Sequence, residues 1–387
     1  METEKLYYTD PFMKEFTAEV LTCQPGKDGY LIVLDRTAFY PEGGGQPADH
    51  GKLEDGSVVD VHEKDGVIVH TCTAPAEVGA RVTGVLEWAR RFDHMQQHSG
   101  EHILSGILCR SYGCDNVGFH LGAETVTIDY NTEITWEQAI RAEQLANTVI
   151  AGDRPVEITY PSREALKRMD YRSKKEIPGR IRIVTFPEAD CCACCGTHVL
   201  RAGQVGLIKV LSVQKFRDGV RIEIVSGDRA LQWFSRIYDQ NRIVAQALSV
   251  KVFETAAAVE RTIADLAACK ARESQLEDQV FFGIARAHAG QGDVVLLQPP
   301  MRPDAVRKLA DAVAKTAGGL AAVFAGSNGE KINYALVRSD GGDISQLVKA
   351  LNASLRGRGG GRSGFAQGSI QATRLEIETF FEELKKR

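Results

Sequence analysis

The chain has 387 residues, a quarter of them charged, a formal net charge of −4 and 43% hydrophobic residues. That is ordinary globular composition, with length for roughly two to four compact units. No apolar run approaches the roughly 18–20 residues of a membrane span. The polar start Met1-Glu2-Thr3-Glu4-Lys5 does not read as a secretory signal, and nine cysteines at irregular spacing do not read as a disulfide framework. A cytoplasmic protein is expected. The mild negative charge neither supports nor excludes a nucleic-acid partner, which local Lys and Arg patches would have to hold.

Residues 1–89 read as short strands joined by turns. Ala18–Thr22 and Tyr30–Leu34 flank Pro25-Gly26-Lys27-Asp28-Gly29, which has hairpin chemistry, and further strands are expected at Ser57–Val61, Gly66–His70 and Val82–Leu86. A small, mostly antiparallel β-barrel is the expectation. Within it, Gly43-Gly44-Gly45 lets backbone approach a ligand closely and offers N–H groups without side-chain obstruction. A flexible hairpin tip is the plainer reading of the same run.

From Trp88 to Cys109 the apolar positions Phe92, Met95, Ile103, Leu104 and Ile107 predict a helix, with Asp93 as its N-cap. Strands at Gly118–Gly122 and Thr125–Tyr130, a helix over Trp136–Ala151, and strands at Val156–Tyr160, Gly179–Val184, Gly206–Val210 and Val220–Val225 complete an α+β unit over 90–227. Between Asp228 and Phe282 there is neither Gly nor Pro. Ile237, Val244, Leu248, Val252, Val259, Ile263 and Leu266 recur close to a heptad seam. One or two long helices are expected over 228–289, forming a coiled coil and a homodimer contact. Residues 290–387 read as an α/β unit, with strands at Asp293–Leu297 and Gly319–Phe324, helices at Pro303–Thr316 and Ile344–Leu355, and a last helix over Ser369–Arg387. Before that helix, Arg356, Arg358 and Arg362 stand among glycines. Composition alone allows a phosphate-backbone surface or a flexible linker.

The chemistry concentrates in two stretches. His98 and His102, four apart on the Trp88–Cys109 helix, share one face with Cβ atoms roughly 5–6 Å apart. About a hundred residues on, Asp190-Cys191-Cys192-Ala193-Cys194-Cys195-Gly196-Thr197-His198 offers thiolates and a third imidazole. Either motif is weak alone. Together, in a reducing compartment, His98, His102, Cys194 and His198 make a soft N/S set suited to zinc. Cys191, Cys192 and Cys195 are alternatives to Cys194, and His94, one turn before His98, is either an outer partner or a packing residue. His98-Ser99-Gly100-Glu101-His102 also fits the H-x-x-E-H pattern of a metalloprotease with Glu101 as base, a reading that leaves Cys194 and His198 unexplained.

These motifs, with Thr37–Asp49 upstream and Met95–His98 and Phe119–Gly122 beside them, resemble the editing domain of alanyl-tRNA synthetase and, more closely, the freestanding AlaX editing proteins. The Arg356–Gly368 stretch after a long helix resembles the C-Ala or DHH-associated domain, so the long AlaX form is implied. The resemblance implies hydrolysis of serine or glycine esters of tRNA(Ala), with no need of ATP. It implies zinc on His98, His102, Cys194 and His198, Thr37 reading a serine hydroxyl, and Gln46 ending the glycine motif that shapes the pocket. One departure is Cys195, where the family usually has glycine. Arg172, Lys174, Lys175, Arg180 and Arg182 before the cysteines, and Arg356, Arg358 and Arg362, are then candidates for tRNA phosphates. A DHH phosphoesterase is not supported, since no Asp-His-His occurs, and an editing motif starting at residue 37 leaves no room for an activation domain. A non-catalytic zinc-containing tRNA-binding protein is the remaining alternative.

Overall fold

A computed structural model describes residues 2–173 and 181–386, which form two compact units, Met1–Ile243 and Val244–Arg387. Lys174, Lys175 and Arg180 lie outside the described residues.

The first unit opens with a closed six-stranded barrel. Strands β1 (Glu15–Gly26), β2 (Gly29–Leu34), β3 (Gly51–Leu53), β4 (Gly56–Lys64), β5 (Val67–Cys72) and β6 (Arg81–Leu86) close in the order β1-β2-β5-β4-β3-β6. Period-2 alternation fills it, with Phe16, Ala18 and Val20 of β1 inward and Val82 and Leu86 of β6 against them.

The chain leaves the barrel through α1 (Trp88–Tyr112), a helix almost wholly buried from His94 to Leu108. It starts well before Asp93, the expected N-cap. The Asp93 carboxylate is instead taken by Arg229 and Gln97. Gly113, with φ +63°, closes the helix by donating its N–H to Cys109 O, a left-handed position that suits glycine. Around α1 lie a four-stranded antiparallel sheet, β12 (Ile208–Phe216), β13 (Gly219–Ser226), β8 (Val126–Tyr130) and β7 (Asn116–Leu121) in that order, and a three-stranded one, β9 (Glu157–Thr159), β10 (Ile183–Phe186) and β11 (Asp190–Ala193). Helix α2 (Trp136–Ala151), begun by a Thr135–Gln138 capping box, packs on the same core.

The expected heptad segment is two helices, α3 (Gly227–Ala247) and α4 (Thr255–Ala287), interrupted near Ser249, whose φ is +53°. The second unit holds a sheet ordered β14 (Gly292–Gln298), β15 (Gly318–Ala325), β16 (Lys331–Arg338), β18 (Phe365–Gln371) and β17 (Arg358–Arg362), parallel only between β14 and β15. Helices α5 (Pro303–Ala317), α6 (Ser345–Ser354) and α7 (Arg374–Lys385) accompany it. The arginine-glycine stretch is therefore a hairpin strand and no linker. The last helix begins at Arg374, after Thr373 caps it with Glu376, because Ser369–Gln371 continue β18.

Candidate metal centre

Helix α1 brings His98 and His102 to one face, and the turn after β11 brings Cys194 and His198 onto them. One donor atom from each lies within 4.8 Å of the others. Cys194 Sγ is 3.6 Å from His98 Nε2 and 3.4 Å from His198 Nε2, and the three imidazole centroids are 4.5, 4.6 and 5.1 Å apart. Among the described residues, Cys194 is the cysteine that reaches all three histidines. Cys191 takes a contact from Thr185, Cys192 groups with His102 and Asp190, and Cys195 is exposed.

Each ring is fixed at its other nitrogen. His98 Nδ1 donates to Gln46 Oε1 (2.9 Å), His102 Nδ1 to Asp190 Oδ2 (2.8 Å), and His198 Nδ1 to Ser99 Oγ (3.1 Å). Those bonds engage Nδ1 and turn Nε2 toward the cluster, the orientation metal-binding histidines require. Arg172 clamps Asp190 in turn, Nε to Oδ1 at 2.7 Å and Nη2 to Oδ2 at 2.8 Å. Burial raises the Asp190 carboxyl, but His102 and Arg172 outweigh it and hold it down at about 2. Burial likewise pushes the Cys194 thiol up, yet the three imidazoles together bring it well below its ordinary value. Burial lowers the His102 ring, but Cys194 and Asp190 outweigh it and raise that ring to about 10. The cluster thus pairs a thiolate with an imidazolium, whose Nε2 proton a soft divalent cation would displace.

Gln46 joins the glycine loop to the cluster. Besides accepting from His98, it donates from Nε2 to Thr197 Oγ1 (2.9 Å) and accepts the Thr197 N–H (3.2 Å). Gly43 and Gln46 exchange both backbone bonds across a tight turn. Gly45 sits at φ +90° where a Cβ would come 2.5 Å from Phe119 O, so glycine is required. Phe119 then stacks on His98, centroids 5.0 Å apart at 19°. Gly196 is required equally, since a Cβ would meet His98 Cε1 at 2.1 Å. The loop's neck is tied where Asp49 N–H donates to Tyr40 O and Tyr40 N–H to Asp49 Oδ2 (2.6 Å), and the buried Arg91 of α1 binds the same carboxylate and Ala38 O.

Some expected roles shift. Thr37 is fully buried, and its hydroxyl meets His70 Nε2 at 2.9 Å while accepting the Phe39 N–H. His70 Nδ1 donates to Ile32 O (3.1 Å), and burial lowers the ring to about 4, so Nε2 takes the Thr37 proton. Thr37 can therefore only accept from a further hydroxyl. Arg182, expected among phosphate-binding residues, is buried and holds the carbonyls of Cys194 (2.9 Å) and Gly196 (3.0 Å). Arg172 is committed to Asp190. Arg356 is occupied by Gln371 O and Glu376, both at 2.8 Å, whereas Arg358 and Arg362 are exposed on β17. Glu101, the base of the protease reading, is buried with Oε1 held by Ser105 and Asn116. Cys194 and His198 complete its neighbours' set. Ser99, Arg91 and His70 as site residues, and the anchoring role of Asp190 and the stacking role of Phe119, escaped the sequence reading. An acidic residue directly before the cysteines was the one available signal.

A histidine pair on a buried helix, closed by a cysteine–histidine turn and flanked by a barrel loop, gives four donors that could hold a metal ion in a protein assembled from tRNA-synthetase modules. Residues 3–90 match the family described as tRNA synthetases class II (A), residues 181–223 the threonyl and alanyl tRNA synthetase second additional domain, and residues 291–387 the DHHA1 domain. Alanyl-tRNA editing protein AlaX-L of Pyrococcus horikoshii is 32% identical over 97% of this chain and 96% of its own length. The chain belongs to the AlaX family of alanyl-tRNA editing proteins. It also resembles the alanine–tRNA ligases of Halorubrum lacusprofundi (33% identical over 95% of this chain) and Thermococcus kodakarensis (32% over 100%), of which it spans only 42% and 43%. The C-Ala domain of Aquifex aeolicus alanyl-tRNA synthetase, 24% identical, covers 25% of this chain and 92% of that domain, with a TM-score of 0.22.

Proposed function

We propose that the first unit hydrolyses the ester between a wrongly attached serine or glycine and tRNA(Ala), releasing free amino acid and tRNA. The chain is an alanyl-tRNA editing enzyme, an aminoacyl-tRNA deacylase. The need is physical: a pocket built for a small side chain rejects glycine or an added hydroxyl only weakly, so a second, hydrolytic site restores fidelity.

The observation that carries this reading is the convergence of three Nε2 atoms and one sulfur, each ring locked from behind. His98, His102, Cys194 and His198 would hold zinc, which when bound supplies positive charge that orients and polarises the aminoacyl end. Gln46 keeps His98 in its tautomer and ties the turn at Thr197 to the loop. Gly44 and Gly45, exposed at the loop tip, offer N–H groups to the oxyanion that forms when water attacks the ester. Thr37, its proton committed to His70, is an acceptor for a serine hydroxyl and has nothing to offer glycine beyond shape.

We assign the rest of the chain by segments: 1–89 as the loop-bearing barrel, 90–227 as the editing domain, 228–289 as a helical arm and 290–387 as the tRNA-binding domain. Arg358 and Arg362, on a strand whose other positions are glycine, suit a phosphate backbone. Helix α4 leaves Ile263, Leu266, Leu276 and Val280 exposed, which supports a homodimer through this arm. No helix among the described residues is long and apolar enough to cross a membrane. Nine free thiols accord with a cytoplasmic setting.

Incubation with serine-charged tRNA(Ala) tests the proposal. Serine release that falls away in Cys194→Ala together with the bound metal supports it. Binding without turnover overturns it in favour of a tRNA-binding adaptor.

A further inference from the structure

Helix α1 carries a third buried imidazole on the same face. His94 lies four residues, about one turn, before His98, roughly 6 Å along the axis. It is 3% exposed, and its Nδ1 has no hydrogen-bond partner. Buried polar atoms are nearly always satisfied, so such an atom calls for a ligand or water. His94 lines a cavity of about 440 Å³ together with Pro47, Arg90, Asp93, Leu121 and Arg229. Pro47 follows Gln46 directly, and the Leu121 N–H donates to Gly45 O, so the cavity adjoins the glycine loop beside the metal centre.

The charges around it do not cancel. Arg229 gives Nε and Nη2 to the Asp93 carboxylate and Nη1 to Gly122 O, which neutralises Asp93. Arg90 donates through Nε to Ala48 O (3.1 Å) and forms no ion pair among the described residues. One guanidinium is left uncompensated. Burial, followed by Arg90, Arg229, Arg91 and His50, lowers the His94 ring to about 3, so the imidazole stays neutral in a cationic setting. A neutral ring with an open nitrogen beside one free guanidinium complements a singly charged acceptor group.

We propose that this cavity is a phosphodiester subsite, holding the strand one linkage away from the acylated nucleotide whose ester sits at the His98–His102–Cys194–His198 cluster. The inference rests on the deacylase reading. Arg90 would fork onto the diester oxygens and His94 would bond a third acceptor position. The one-turn offset between His94 and His98 then sets the register in which the 3′ end enters.

Two ester substrates separate this subsite from general damage: serine-charged tRNA(Ala), and seryl-adenosine, which carries the same ester but no phosphodiester. Arg90→Gln and His94→Phe are expected to raise KM for the charged tRNA about tenfold, the worth of one charge-assisted bond, with kcat and KM for seryl-adenosine unchanged. Arg90→Lys should recover most of the loss. Equal loss on both substrates, or none on either, overturns the proposal. Titration of the uncharged trinucleotide CCA against wild type and Arg90→Gln reads the same subsite without turnover. Weakened trinucleotide binding with adenosine binding unaltered supports it, and equal trinucleotide affinities overturn it. Should wild type hydrolyse neither ester, the deacylase reading falls while this titration still decides the subsite.

Discussion

The two compact units differ in what they bury. Among the described residues, every buried polar or charged side chain, from Thr3 to Ser226, belongs to the first unit. The second fills its interior with Val306, Leu309, Val313, Phe324, Leu336 and their like, and keeps its charges outside. Burying polar groups costs stability unless each is satisfied. The first unit satisfies most of them in chains, Arg172–Asp190–His102, Thr197–Gln46–His98 and Arg91–Asp49–Tyr40, and leaves a few atoms such as His94 Nδ1 open. The difference teaches where chemistry lives. One unit accepts an expensive polar interior to hold four donors in place, and the other presents a surface.

The contrast breaks most visibly at the sulfur. Cys194→Ser is expected to remove the bound metal and cut deacylation by more than about 100-fold, checked by metal content and by turnover of serine-charged tRNA(Ala). Asp190→Ala comes next. Losing the anchor of His102 should weaken metal affinity about 10–100-fold, and the Arg172 charge left unpaired should cost about 3–5 kcal/mol of stability, read by chelator competition and urea unfolding.

A pH titration sharpens the comparison further. The His70 ring is lowered from 6.5 to about 4 by burial, so the unfolded chain binds its proton first; stability is complete above pH 6.5 and is lost as pH falls toward 4, by about 3 kcal/mol from this ring. Acid unfolding of wild type against His70→Gln measures it: the variant's slope over that window should be shallower. The smallest effect belongs to the second unit. Arg358→Ala and Arg362→Ala should each weaken tRNA binding a few-fold and reduce the salt slope by about 1, while metal content and seryl-adenosine turnover stay constant.

His98 and His102 were legible because a spacing of four puts both on one helix face, whereas four cysteines crowded before His198 left the thiolate open until the family resemblance singled out Cys194. The bonds behind the rings were not legible. Gln46 and Asp190 are remote in sequence from the histidines they fix, and only the folded loop and β11 bring them there. Charge misled at Arg182: a basic residue in a basic stretch reads as surface, yet this one is sealed behind the Cys194–Gly196 turn. Composition left residues 356–368 open between a surface and a linker, because glycine states no secondary structure until β18 supplies a partner strand. The helix start at Trp88 was legible, but its cap was not: Asp93 lies inside the helix and its carboxylate binds Arg229 instead of a helix N-terminus.

A loop clamped at Tyr40 and Asp49 behaves as a ruler. The reach of its tip is set by the number of residues between the clamps, so substitution along it is cheaper for a lineage than gain or loss of a single residue. Deep mutational libraries of this segment should accordingly be poor in length variants, whatever their amino-acid diversity.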